Sequence, residues 1–163
     1  MIIVVMGVCG CGKTLIGKML AKQTGLAFYD ADDFHSAKSV EKMTAGIALD
    51  DDDRLCWLKR LAGQMTKWQS SGPAVLACSA LKKSYRKILN EAGEVRFVYL
   101  KASKNLIIQR MQNRKDHYMP VSLIDSQFAI LEEPDDAMIV DAEKKPNEIL
   151  RCILTGFRKK TGN

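Results

Sequence analysis

The sequence predicts an α/β fold, a five-stranded parallel sheet with helices packed on both faces in three layers. Three observations predict it. Short apolar runs alternate along the chain with segments of helical periodicity. The first run, Ile2-Ile3-Val4-Val5-Met6, is apolar at every position, as a strand buried on both faces requires. At 163 residues the chain is long enough for one compact domain with a real core, and it carries no linker or repeat that would divide it.

The elements follow in order. After the Ile2 to Met6 strand comes a glycine-rich turn and a helix whose apolar stripe is Leu15, Ile16, Met19 and Leu20, with Gly25 as its stop. Ala27-Phe28-Tyr29 is a short second strand ending in Asp30. The polar stretch from Asp32 to Asp53 holds a short helix and a loop. From Asp50 onward Leu55, Leu58, Ala62 and Met65 recur at helical spacing until Ser70-Ser71-Gly72-Pro73 breaks the pattern. Ala74 to Cys78 is a third buried strand, followed by a basic helix over Lys82 to Glu91. Val95 to Leu100 is the fourth strand, Ser103 to Arg114 a helix, and Lys115 to Pro120 a polar loop. Ser122 to Leu131 is a helix closed by Glu133-Pro134, and Ala137 to Val140 is the fifth strand. Pro146 opens the last helix, with Ile149, Leu150, Ile153, Leu154 and Phe157 on its inner face. In a parallel sheet of this kind ligands bind beyond the carboxyl ends of the strands.

Composition narrows the class. Hydrophobic residues make up 47% and charged residues 27%, which excludes a disordered chain. The net charge of +6 favours anionic small molecules as partners. The basic residues are scattered, and the one short run, Arg158-Lys159-Lys160, reads as a solvated helix end, so no nucleic-acid partner is expected. Five cysteines without a leader segment argue against a disulfide framework and for a reducing, cytoplasmic location. No stretch approaches the length of a membrane span.

Gly7-Val8-Cys9-Gly10-Cys11-Gly12-Lys13-Thr14 matches G-x-x-x-x-G-K-[ST] between a strand and a helix. Glycines let the backbone curl around phosphate and aim its N–H groups inward, and the following helix adds the positive end of its dipole. Lys13 reaches the β- and γ-phosphates of a bound nucleotide, and the Thr14 hydroxyl can ligate Mg²⁺. The Cys9-x-Cys11 pair is two ligands short of a metal site. A helix N-terminus can lower a thiol pKa, which predicts oxidation sensitivity there.

Phosphoryl transfer to an alcohol needs a carboxylate at the acceptor hydroxyl. Asp30, Asp32 and Asp33 stand at the end of the second strand, and alternation puts Asp30 and Asp32 on one side if that strand extends so far. Asp50 to Asp53 suit a helix N-terminus, while Arg54 beside them either clamps a substrate carboxylate or pairs with the local aspartates. Lys82 and Arg86 follow the third strand and are candidate contacts for an acidic substrate. Arg110, Arg114, Lys115 and His117 flank a loop able to close over nucleotide.

Taken in order, the glycine loop, Phe28 to His35, Lys42 to Arg54, Ala77 to Arg86, Val95 to Leu100, His117 to Pro120 and Gln127 to Pro134 resemble gluconokinase over nearly the whole chain. The resemblance implies a P-loop kinase fold with a LID at about residues 114–121 of a single domain spanning 1–163. It implies transfer from ATP, with Mg²⁺, to D-gluconate, and a homodimer. It assigns the acceptor hydroxyl to Asp32, the metal side to Asp30, the adenine side to Arg110 and the phosphates to Arg114, with His35, Arg54, Lys82, Arg86 and His117 as candidate substrate contacts. The chain departs from the family pattern with Cys at positions 9 and 11 in place of Ser, with Ser36 in place of Pro, and in having no clear acidic residue at the end of the third strand. A shikimate or nucleoside-monophosphate kinase, a non-catalytic nucleotide switch and a nucleic-acid-binding domain are the alternatives.

Overall fold

The computed structural model describes residues 1–113 and 121–161. Five parallel strands, β1 (Ile2–Met6), β2 (Ala27–Asp30), β3 (Ala74–Ala77), β4 (Val95–Lys101) and β5 (Met138–Asp141), form one sheet in the order β2-β3-β1-β4-β5. The order reverses at β1, so a crevice opens at its carboxyl end, where the glycine loop begins.

Strand alternation sorts the core into two layers. Ile3 and Val5 of β1, with Val75, Val98, Leu100 and Val140, face α1 (Lys13–Thr24), α5 (Lys104–Gln112) and α7 (Pro146–Thr161), meeting Ile16, Leu20, Ile107, Ile149 and Ile153. Ile2, Val4 and Met6, with Leu76, Phe97 and Tyr99, face α3 (Asp51–Ser71) and α4 (Lys83–Asn90), meeting Trp57, Leu58, Leu61, Met65, Tyr85 and Leu89. Every β1 residue is buried, which makes this strand the shared floor of both layers. Each such side chain contributes roughly 1.5–3 kcal/mol on leaving water.

The expected stripes are corrected at two positions. Leu15 is 53% exposed and Leu55 38% exposed. In α1 the inner face is Ile16, Gly17, Leu20 and Ala21 instead. Gly17 belongs there because a Cβ would lie 2.7 Å from the Phe28 ring, so glycine sets how closely α1 approaches β2. In α3 the inner face gains Trp57 and Leu61.

Local chemistry starts each helix that shapes the crevice. The Asp50 side chain caps α3, accepting from Asp53 N–H, while Asp53 returns the bond in a capping box. Ser36, where family relatives were expected to carry Pro, caps α2 (Ala37–Thr44) through Ser39 N–H. Ser103 does the same for α5. α6 (Val121–Ile130) returns the chain to the crevice, and its C-terminal end is tied down by Glu132, whose N–H donates to Leu81 O at 2.9 Å. Among the described residues no helix is long and apolar enough to cross a membrane.

Candidate active site

The glycine loop wraps the amino end of α1. Gly7 has φ +143°, and a Cβ there would fall 2.8 Å from Leu100 O, so the turn out of β1 admits only glycine. Gly12, at φ 103°, occupies the cap position of α1. Val8 is buried and its carbonyl accepts from Lys13 Nζ at 3.0 Å, which parks the ammonium inside the loop. Arg110 braces the outside, donating to Gly10 O at 3.4 Å, Cys11 O at 3.2 Å and Ala142 O at 2.7 Å. Cys9, Gly10, Cys11, Gly12, Lys13, Thr14 and Arg110 line a cavity of about 520 Å³ with Asp30 and Asp32 on its far wall.

β2 ends at Asp30, and residues Ala31–Phe34 form a 3₁₀ turn. Strand alternation therefore does not bring Asp30 and Asp32 together. The turn does: Asp30 Oδ1 accepts from Asp32 N–H at 3.1 Å, and Asp30 Oδ2 accepts from the Thr14 hydroxyl at 2.8 Å. Trp57 of α3 locks the turn by donating Nε1–H to Ala31 O at 2.8 Å. The same indole stacks on His35, ring centroids 4.3 Å apart, and His35 Nε2 lies 3.6 Å from Asp32 Oδ1.

A second cavity, about 170 Å³, adjoins the first and shares Cys9, Lys13 and Asp32 with it. Its remaining polar lining is His35, Arg54, Ser79, Ser126 and Gln127, set against apolar Met43, Ile47, Leu49, Trp57 and Leu123. The Asp32 carboxyl, exposed in the crevice, is held below the usual carboxylate range, first by His35 and then by Lys13, which together outweigh the local desolvation. It is thus ionised at neutral pH and stands at the junction of the two cavities. Burial works against the Lys13 ammonium, but the acidic groups of Cys11, Cys9, Asp32 and Cys78 around it raise its pKa and keep it charged.

Arg54 is left available by its neighbours. Asp51 accepts from Lys82 Nζ at 2.8 Å and from the Tyr85 hydroxyl, and Asp53 accepts from Lys42 Nζ at 2.6 Å. Among the described residues no carboxylate pairs with Arg54, whose neighbour is the Tyr85 hydroxyl. Its guanidinium lines the smaller cavity together with the shared Lys13 ammonium.

Comparison with known proteins gives the family. The shikimate kinase family model matches residues 9–156. The thermosensitive gluconokinase of Escherichia coli strain K12 is 44% identical over 133 residues, 80% of this chain and 71% of its own. The gluconokinase of Arabidopsis thaliana is 39% identical, covering 94% of this chain and 90% of its own. The crystal structure of a gluconokinase from Sinorhizobium meliloti 1021 superposes with a TM-score of 0.88 at 39% identity, covering 96% of this chain and 91% of that one. This chain belongs to the gluconokinase family.

Shikimate kinase from Aquifex aeolicus, with a TM-score of 0.62 at 17% identity, shares the gluconokinase fold. Within that fold two expected substrate contacts are elsewhere. Lys82 is engaged by Asp51 and lines neither cavity; it joins the start of α4 to the start of α3. Arg86 is 4% exposed and donates to Ala80 O and Leu81 O, both at 3.1 Å. Ala80 has φ 45°, so Arg86 secures a strained turn behind the cavity wall. Gly7 and Val8 shape the loop without lining either cavity. Arg114, His117 and the LID expected at 114–121 lie, apart from Val121, outside the described residues.

The Cys11 thiol also differs from expectation. Burial raises the Cys11 thiol above its ordinary value despite the helix N-terminus, so it is not an activated nucleophile. Burial pushes Cys78 up to about 12. Sequence reasoning missed Gln127, whose Oε1 accepts from Cys9 N–H at 2.7 Å. The available signal was a polar residue standing four positions from both Leu123 and Leu131 on one helical stripe. It also missed Trp57, which fixes both the Asp32 turn and the His35 ring.

Proposed function

We propose that this gluconokinase-family chain transfers the γ-phosphoryl group of ATP to a hydroxyl of D-gluconate, giving 6-phospho-D-gluconate and ADP. The observation that carries this reading is the ionised Asp32 shared by the cavity of the glycine loop and a smaller cavity lined by the Arg54 guanidinium. Arg54 suits the carboxylate of a sugar acid, which a planar donor fork can hold in two parallel hydrogen bonds. Asp32 then accepts the proton of the acceptor hydroxyl as its oxygen bonds to the γ-phosphorus and the bond to the β-phosphate oxygen breaks. His35 keeps Asp32 ionised, and its Nδ1, buried without a partner, is suited to a further acceptor hydroxyl.

Lys13 and the amides of the glycine loop stabilise the charge that builds on the phosphoryl oxygens. Thr14 and Asp30 are hard oxygen donors of the kind Mg²⁺ takes alongside nucleotide phosphates and water, and their mutual 2.8 Å contact shows that they converge. When bound there, Mg²⁺ offsets the charge on the triphosphate. Arg110 bears on the adenine side of the cavity; Arg114, His117 and a LID complete this reading from the family resemblance, as do a homodimer and a cytoplasmic location.

Shikimate is the second acceptor to test, because the shikimate kinase family model covers most of the chain. Coupled ADP-release assays with gluconate, shikimate and nucleoside monophosphates separate the readings. Stimulation by gluconate alone is expected; stimulation by shikimate alone overturns the acceptor assignment.

A further inference from the structure

Gln127 sits in the wall between the two cavities. Its side-chain carbonyl accepts from the Cys9 N–H, 118 residues away in sequence, at 2.7 Å. Cys9, like Lys13, lines both cavities, and Gln127 lines the smaller one. A backbone N–H can only donate, so it fixes which end of the Gln127 amide faces the loop. The NH₂ group must then point away from Cys9. Among the described residues Nε2 has no hydrogen-bond partner, which leaves two donors at the acceptor cavity.

The neighbouring groups do not duplicate this role. Ser126 donates its hydroxyl back to Leu123 O at 2.8 Å, within its own helix. The helix that carries Gln127 is tied at its middle and beyond its C-terminal end. Asp125 pairs with Lys104 of α5 at 2.5 Å, and beyond the C-terminal end Glu132 accepts from Lys83 N–H at 2.5 Å while Glu133 pairs with Lys101 at 2.9 Å. The amide is therefore a fixed two-ended device, not a surface side chain that happens to reach the loop.

We propose that Gln127 is a positioning residue that ties acceptor recognition to the phosphate loop: its NH₂ donates to an oxygen of the bound acid while its carbonyl holds the loop at Cys9. This inference rests on the gluconate reading and adds to it a second polar anchor in the cavity that Arg54 also lines. Two anchors fix the orientation of a linear polyol acid, which one carboxylate clamp leaves free to swing. The reacting hydroxyl is thereby presented to Asp32 at the level of the γ-phosphate.

The test compares wild type with Gln127→Met and Gln127→Glu. Methionine keeps the length and loses both hydrogen bonds. Glutamate keeps an acceptor for Cys9 N–H but replaces the NH₂ donors with a charge that repels an acidic substrate. Steady-state kinetics should show the gluconate KM raised on the order of ten- to a hundredfold in both variants. The Kd of a non-hydrolysable ATP analogue, measured by calorimetry without acceptor, should stay within about threefold of wild type in Gln127→Met. Thermal melting of each variant checks that it is folded. A gluconate KM within twofold of wild type in Gln127→Glu, with turnover retained, overturns the acceptor contact and leaves Gln127 a loop brace. Equal weakening of gluconate and nucleotide in Gln127→Met overturns it as well. If wild type itself ignores gluconate, the acceptor reading has failed and this inference fails with it, a result distinct from the variant outcomes.

Discussion

Replacing Arg86 with Met distinguishes a scaffold from a substrate contact. The guanidinium donates to two buried carbonyls, Ala80 O and Leu81 O, each at 3.1 Å. Leu81 O would keep the Glu132 N–H at 2.9 Å, so the substitution orphans chiefly Ala80 O. Leaving one buried carbonyl unsatisfied costs about 1–3 kcal/mol, and losing the second bond adds roughly 0.5–1.5 kcal/mol. Met fills most of the stem volume, and relief of the buried charge, which burial already disfavours, returns part of the cost. The net expectation is about 1–4 kcal/mol. For a domain of this size that lowers Tm by roughly 3–15 °C. Differential scanning calorimetry of Arg86→Met, beside gluconate kinetics at a temperature where the variant is folded, reads both quantities. The Tm should fall while the gluconate KM changes less than about threefold. An unchanged Tm with a KM raised tenfold or more would refute the scaffold role and restore Arg86 as a substrate ligand.

Lys13→Ala should lower kcat on the order of a hundredfold or more by removing charge stabilisation from the transferring phosphoryl group, with melting within a few degrees of wild type; coupled ADP release measures it. Arg54→Ala should raise the gluconate KM on the order of tenfold or more and the ATP KM much less, and equal effects on both would count against a carboxylate clamp. His35→Phe keeps a ring on Trp57 and removes the nitrogen near Asp32, so the Asp32 pKa should rise toward the ordinary carboxylate range in a carboxyl NMR titration. The sign for stability follows from the depressed folded-state value: the Asp32 contribution is present above its ordinary pKa and drains as pH falls through the lower one. His35→Phe forfeits it, so acid unfolding should begin at higher pH; water around the exposed carboxylate keeps the effect small.

Much of this was readable in the chain because local rules and the global fold agree. β1 is apolar at every position, and only a strand covered on both faces tolerates that. The glycine loop was legible because its backbone geometry admits few residue types, as Gly7 against Leu100 O shows. Asp32 was found for a reason that turned out to be incomplete: the strand ends at Asp30, and a 3₁₀ turn pinned by Trp57 does the placing. Tertiary bonds of that kind leave no periodic trace.

The fate of the cations was illegible for a related reason. Arg54, Lys82 and Arg86 are all basic residues near acidic runs, and spacing cannot tell a clamp from an ion pair or a buried brace. Folding decides, by giving Asp51 to Lys82 and Asp53 to Lys42 and closing the Ala80 turn over Arg86. The Gln127 contact carries no signal of its own in the sequence, because its partner, the Cys9 amide, is a backbone group of the kind nearly every residue carries.

The central claim is that Asp32 takes the acceptor proton while other groups bind the two substrates. Asp32→Asn tests it most directly, with calorimetric Kd values for gluconate and a non-hydrolysable ATP analogue measured beside kcat. Both Kd values should lie within about threefold of wild type, and kcat should fall on the order of a hundredfold or more. A variant that binds both ligands and turns over at nearly the wild-type rate would contradict the account.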